Sequence, residues 1–171
     1  MNSKIDISEV NTIDGEQFEW MFGNVIELCT DASAQVYKDK PFNDVEDLCD
    51  KFHSYLDGLS EKGKVVVLNL HPDLAGRLSS AGHLTKESAG EQLSAGLLDL
   101  TTEQRDTIHY HNEKYKIKFG FPFIICAREN KVQSIIEGLL KRYHNTRQQE
   151  IDTAINEVKK ICKLRILDIV Q

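Results

Sequence analysis

His71 stands directly before a proline in the run Leu70-His71-Pro72-Asp73-Leu74-Ala75. Proline disfavours the α region for the residue preceding it, so His71 is expected at a helix end or in a turn. From there its imidazole, which titrates near neutrality when unperturbed, could project into a cleft and move a proton. The plain alternative is a surface or capping histidine ahead of a helix that starts at Pro72.

Ser88, Glu91, Gln92 and Ala95 follow the spacing i, i+3, i+4, i+7. On a helix they share one face, so a hydroxyl, a carboxylate and an amide point the same way and could grip a small polar ligand. A solvated helix face is the bland reading of the same pattern. Arg165 lies where the apolar stripe Ile151, Ile155, Val158, Cys162 would place its next inward residue. An arginine there must be paired, hold an anion, or snorkel to the edge. Finally, Lys118-Phe119-Gly120-Phe121-Pro122-Phe123-Ile124-Ile125-Cys126-Ala127 breaks a helix and then runs too apolar for a surface loop. If that stretch is extended and buried, its backbone N–H groups need partners, which a ligand or an ordinary buried connection could supply.

Other constellations are missing. No dinucleotide fingerprint, P-loop, nucleophile elbow or zincin motif occurs. His109 and His111 are one residue apart and diverge on a helix, which makes them a poor metal pair, and His83 reads as a loop residue. No metal site is expected.

The elements that must position these residues read as helices. Asp14 is a candidate N-cap for a helix carrying Phe18, Met21 and Phe22 inward. Asn43 with Glu46 has capping-box spacing ahead of Val45, Leu48, Cys49, Phe52, Leu56 and Leu59, with Gly58 and Gly63 loosening that helix's end. Val65 to Leu70 contains three consecutive valines, which propensity alone favours as a strand, and the pattern leaves helix and strand both open. Thr85 can cap a helix through Leu98, and Thr101 with Gln104 boxes another through Lys118. Val132, Ile135, Ile136, Leu139, Leu140 and Tyr143 mark a further amphipathic helix, and Thr146 with Gln149 boxes the last. An all-α packing in a single compact multi-helix domain spanning 1–171 is expected.

Composition narrows the class of function. The chain has 171 residues, with 21 Lys plus Arg against 27 Asp plus Glu and a net charge of −6. This length suits one domain, and the acidic balance argues against a nucleic-acid footprint. No apolar run approaches the roughly 18 residues of a membrane span, and Met1 to Val10 lacks the apolar stretch of a secretory signal. The four cysteines form no C-x-x-C pair and are expected as reduced, mostly buried thiols in an intracellular protein.

Taken together, these segments resemble one family. His71-Pro72-Asp73-Leu74-Ala75-Gly76, then Glu87-Ser88, Glu91-Gln92 and Ala95-Gly96, then Asn112, Tyr115 and Lys118 through Ala127 look like 2-oxo-4-hydroxy-4-carboxy-5-ureidoimidazoline (OHCU) decarboxylase. Glu150, Ile155, Val158, Ile161 and Leu164-Arg165 resemble that family's last helix. The match runs in order over nearly the whole chain, and its motifs are specific in combination rather than singly.

The resemblance implies an all-α enzyme, commonly a homodimer, that converts OHCU to (S)-allantoin and carbon dioxide in urate breakdown with neither metal nor organic cofactor. It implies His71 and Glu91 as catalytic residues. It implies substrate contacts at Pro72, at Ser88, Ala89, Gly90, Glu91 and Gln92, at Phe123, Ile124, Ile125, Cys126 and Ala127, and at Arg165. It also favours helix for Val65–Leu70. Animal members often end in a peroxisomal S-K-L-type tripeptide, whereas this chain ends Asp168-Ile169-Val170-Gln171. A peroxisomal location is therefore expected from kinship, with a cytoplasmic one as the alternative. Two other functions are weighed: a helical binding module that kept the pocket without turnover, and a metal-dependent hydrolase using His71, Glu91, His109 and His111, which the spacing disfavours.

Overall fold

A computed structural model describes residues 3–76 and 82–171. Among them the helices are α1 (Ile7–Val10), α2 (Gly15–Phe22), α3 (Thr30–Tyr37), α4 (Val45–Asp57), α5 (Glu61–Leu68), α6 (Lys86–Ser94), α7 (Thr102–Phe119), a 3-10 turn (Ala127–Glu129), α8 (Val132–Arg142) and α9 (Arg147–Ile169). The architecture is all-α, as expected; its one β feature among the described residues is an isolated parallel bridge between Ile5 and Val170. The chain forms two compact units, one from Met1–Gly63 with Lys159–Gln171 and one from Lys64–Val158.

The first unit is built around aromatic packing. Phe18 from α2 lies 4.7 Å from Phe22, 6.1 Å from Phe42 and 6.4 Å from Phe52 of α4, ring centre to ring centre. All four rings are buried, and such pairs contribute about 0.5–1.5 kcal/mol each beyond their buried area. Asp14 caps α2 by accepting the Gln17 N–H. The cap of α4 is Asp44 rather than Asn43: Asp44 accepts the Asp47 N–H, and Asp47 in turn accepts the Asn43 N–H. The carboxylate one position later has the reach and the extended backbone that a cap requires.

In the second unit, α7 begins with a full capping box between Thr101 and Gln104 and ends at Gly120 with φ 84°. Left-handed backbone of that kind is the usual stop for a helix, and glycine adopts it without strain. The inward face of α7 carries Ile108, Asn112, Tyr115 and Phe119. Tyr115 packs tilted against Phe119 and edge-on against Phe121 and Phe123, which draws the chain after Gly120 back over its own helix.

The three-valine segment is helical through Leu68. Helix α6 stops at Ser94, four residues short of the sequence expectation, because Gly96 turns to φ 85°. On α8, Ile135 and Leu139 face inward while Leu140 is exposed. All four cysteines are free and buried. No helix among the described residues is long and apolar enough to cross a membrane.

Candidate active site

Helix α5 gives way to a tighter turn in which Leu70 N–H reaches Val67 O and His71 N–H reaches Leu68 O. His71 therefore closes a helix end, as its neighbouring proline requires, and no helix starts at Pro72. The imidazole is buried, and its Nδ1 lies 3.2 Å from Val67 O. A carbonyl oxygen only accepts, so Nδ1 carries the hydrogen and Nε2 holds the exchangeable lone pair of the neutral ring. That tautomer suits a group that takes or returns a proton through Nε2.

The loop after His71 is clamped from two helices. Gln92 Oε1 of α6 accepts the Ala75 N–H at 3.0 Å, Asn112 Nδ2 of α7 donates to Leu74 O at 3.1 Å, and Lys116 Nζ of α7 meets Asp73 Oδ2 at 3.0 Å. Ala75 is held at φ 52°, in the left-handed region that side chains seldom adopt, and it is buried. Gly76 follows so closely that a Cβ would stand 2.7 Å from Asp73 Cβ. The turn from His71 to Gly76 is over-determined, which fixes the imbedded histidine's origin.

Thr85 caps α6 by accepting the Ser88 N–H. Ser88, Glu91 and Gln92 are buried on one face, which is the face read from their spacing. Ala89 is half-buried and Gly90 is exposed, off that face; Ala95 is the C-cap. Helix α6 packs against the 3-10 turn, where Arg128 Nη2 lies 3.9 Å from Glu91 Oε2. Adjacent residues of α6 thus reach in two directions: Gln92 to the loop that carries His71, Glu91 to the turn that follows Cys126.

Phe123 to Cys126 is irregular backbone and Ala127 opens the 3-10 turn; Phe123, Ile124, Cys126 and Ala127 are buried and Ile125 is half-buried. Side chains satisfy part of it. Arg142 Nη1 donates to Ile124 O at 2.7 Å, the Cys126 N–H donates to Glu157 Oε1 at 3.1 Å, and Asn130 Nδ2 donates to Cys126 O at 2.8 Å. Arg142 is itself held by Glu150 at 2.9 Å and lies 4.4 Å over the Phe123 ring. Glu150 also receives the Tyr115 hydroxyl and Asn145 Nδ2. Burial, then the hydrogen bond to Glu150, pushes the Tyr115 phenol up, so it remains a donor. Burial, reinforced by the charges of Glu129, Glu157 and Glu91, likewise pushes the Cys126 thiol up and keeps it un-ionised.

Arg128, Arg142 and Glu157 hold these segments, Glu27 holds Arg165, and no motif in the sequence marks any of them. Glu150 and Glu157 carried a visible signal, since they sit seven residues apart among inward Ile151, Ala154 and Val158, the same anomaly that singled out Arg165.

Arg165 belongs to the first unit. It does not snorkel: its side chain is 3% exposed, and Nη1 meets Glu27 Oε1 at 3.0 Å and Asn24 O at 2.8 Å. His71, Pro72, Ser88 to Gln92 and Phe123 to Ala127 all belong to the second unit. His109 and His111 lie on α7, and among the described residues no group of three or more His, Cys, Asp or Glu side chains is placed to hold a metal ion.

The fold defines an all-α protein that buries two titratable side chains, His71 and Glu91, in its second unit. The profile of the OHCU decarboxylase family matches residues 11–167. A 2-oxo-4-hydroxy-4-carboxy-5-ureidoimidazoline decarboxylase of Xenopus laevis is 41% identical over 165 residues, 96% of this chain and 94% of that one. Its counterpart in Amia calva is 42% identical over 167 residues, 98% and 95% of the two chains. A crystal structure of OHCU decarboxylase in the presence of (S)-allantoin shares the fold at TM-score 0.69 and 21% identity, covering 91% of this chain and 97% of that one. The chain belongs to the OHCU decarboxylase family.

Proposed function

We propose that this protein is a carboxy-lyase that decarboxylates OHCU to (S)-allantoin and carbon dioxide. The observation that carries this reading is the bridging role of α6, whose Gln92 holds the His71 loop while Glu91 faces Arg128 at the end of the 123–127 segment. These are the stretches that family kinship nominates for catalysis and substrate contact.

The chemistry suits the residues. Loss of the carboxylate from C4 sends its electron pair toward the adjoining C5=N bond, so the ring is its own electron sink. The enol that remains takes a proton at C5 on one face, which yields a single enantiomer. Glu91 as carboxylate accepts or polarises the C4 hydroxyl proton, and His71, through Nε2, acts as acid or relay. Ser88, Gln92 and backbone groups of 124–127 hold the ureido and ring polar atoms, with Arg165 on an anionic or carbonyl edge. The protein works as a homodimer inside the cell, in the peroxisome by kinship.

Addition of the protein to freshly generated OHCU, followed by optical rotation, tests the activity. Rapid appearance of (S)-allantoin, undiminished in excess chelator, is expected. The slow racemic background alone would make the protein a binding module, and loss of activity to chelator would favour a metal-dependent hydrolase. Sedimentation at twice the 19.5 kDa chain mass checks the dimer, and imaging with an N-terminal tag checks the compartment.

A further inference from the structure

Irregular backbone in a protein interior needs its polar groups answered, and which groups are answered reveals which way the segment faces. In extended chain the N–H and C=O of one residue point to the same edge, and successive residues alternate edges. Ile124 gives its carbonyl to Arg142 and Cys126 gives its N–H to Glu157, so residues 124 and 126 share an edge turned toward α8 and α9. Cys126 has φ −69° and ψ 98°, which keeps the chain extended through that point. By that alternation the peptide groups of Ile125 fall on the opposite edge, and neither its N–H nor its carbonyl is hydrogen-bonded to another described residue.

Glu157 is an unexpected acceptor for this task. It is 8% exposed and stands among buried Ala154, Val158 and Ile161, two turns beyond the buried Glu150. Burying a carboxylate is unfavourable unless its oxygens are used, and here one of them answers a buried amide at 3.1 Å. An apolar residue would pack in this place more easily.

We propose that Glu157 is a positioning residue: by holding the Cys126 N–H, with Arg142 on Ile124 O, it turns the peptide groups of Ile125 toward the bound substrate. Glu157 touches no reacting atom. It acts through the backbone, presenting a donor and an acceptor to a ureido group, which offers the matching acceptor and donor. The proposal rests on the decarboxylase reading, and the two fail separately: wild-type protein inert on OHCU defeats that reading, whereas the inference is judged by comparing variants with an active wild type.

The test compares Glu157→Gln with Glu157→Met. Glutamine keeps an acceptor oxygen at the same reach, and methionine keeps the volume without it. Glu157→Gln should stay within about threefold of wild-type kcat/KM, while Glu157→Met should lose roughly 10- to 100-fold. The loss should fall mainly on KM, with allantoin binding by calorimetry weakened in parallel. Hydrogen exchange at the Cys126 amide should quicken in Glu157→Met and stay slow in Glu157→Gln. Should Glu157→Met fail to fold, Glu157→Asp, one methylene short, takes its place with the same expectation of raised KM. A folded Met or Asp variant with normal KM and allantoin affinity would overturn the proposal, as would a glutamine variant damaged as badly as methionine.

Discussion

Arg165 and Glu27, 138 residues apart in sequence, meet at 3.0 Å with their side chains 3% and 2% exposed. The same nitrogen of Arg165 also reaches Asn24 O at 2.8 Å, and Asn24 Oδ1 accepts the Leu28 N–H at 2.7 Å, where Leu28 is held at φ 52°. The pair therefore ties the turn between α2 and α3 to the C-terminal helix. Removing one member of a sealed ion pair strands the other charge, which is worth about 3–5 kcal/mol. Glu27→Leu is expected to lose stability on that scale in urea denaturation of the ligand-free protein. A loss below about 1 kcal/mol would show the pair to be idle.

Arg165→Lys separates the fold role from the proposed substrate role. Lysine retains the charge toward Glu27 but has no planar fork, so roughly 1–3 kcal/mol of charge-assisted hydrogen bonding is at stake. The expected outcome is a fall in kcat/KM and in protection by allantoin that exceeds the fall in ligand-free stability. Unchanged kinetics in a folded variant would confine Arg165 to the fold.

For His71 and Glu91, substitution by alanine is expected to lower turnover roughly 10²–10⁴-fold, the range of general acid–base contributions, with thermal stability nearly unchanged. His71 sits at a helix end and Glu91 lies in the second half of the short helix α6. Near-normal turnover in two folded variants would remove both from the mechanism. Early melting of Glu91→Ala would recast it as structural.

Gln92→Leu leaves the buried Ala75 N–H without its acceptor, at a cost of about 1–3 kcal/mol. Because that bond clamps the loop carrying His71, turnover should fall together with stability. Circular dichroism melts and steady-state kinetics on the same preparation check both. Stability lost with turnover intact would show that the loop holds its shape by other contacts.

His53 supplies a pH test in the first unit. Burial is the main cause that holds its pKa below the ordinary 6.5, and the nearby Lys159 charge adds to this, although Nε2 donates to Lys159 O at 3.1 Å. The unfolded chain therefore binds this proton at higher pH than the folded one, so stability falls as pH drops through about 6.5. His53→Gln keeps a donor and does not titrate; its urea midpoint should decline less than wild type between pH 7.5 and 5.5. Parallel declines would contradict the assignment.

Much of the local structure was already determined by sequence, because its causes lie within a few residues. Asp14, Thr85, Thr101 with Gln104, and Thr146 with Gln149 cap helices through bonds that close over three positions. Pro72 sets the helix end at His71, and periodicity put Ser88, Glu91 and Gln92 on one face and Arg165 on an apolar one. Tertiary structure decided what periodicity cannot encode. Three valines became helical in α5 because packing overrides a β propensity of at most ~1 kcal/mol. Which groups meet is a matter of chain return: Ala75 finds Gln92 across 17 residues, Cys126 finds Glu157 across 31, and Asn24 finds Arg165 across 141. A buried carboxylate or guanidinium announces in sequence that it needs a partner, but only the folded chain supplies the one within 3 Å.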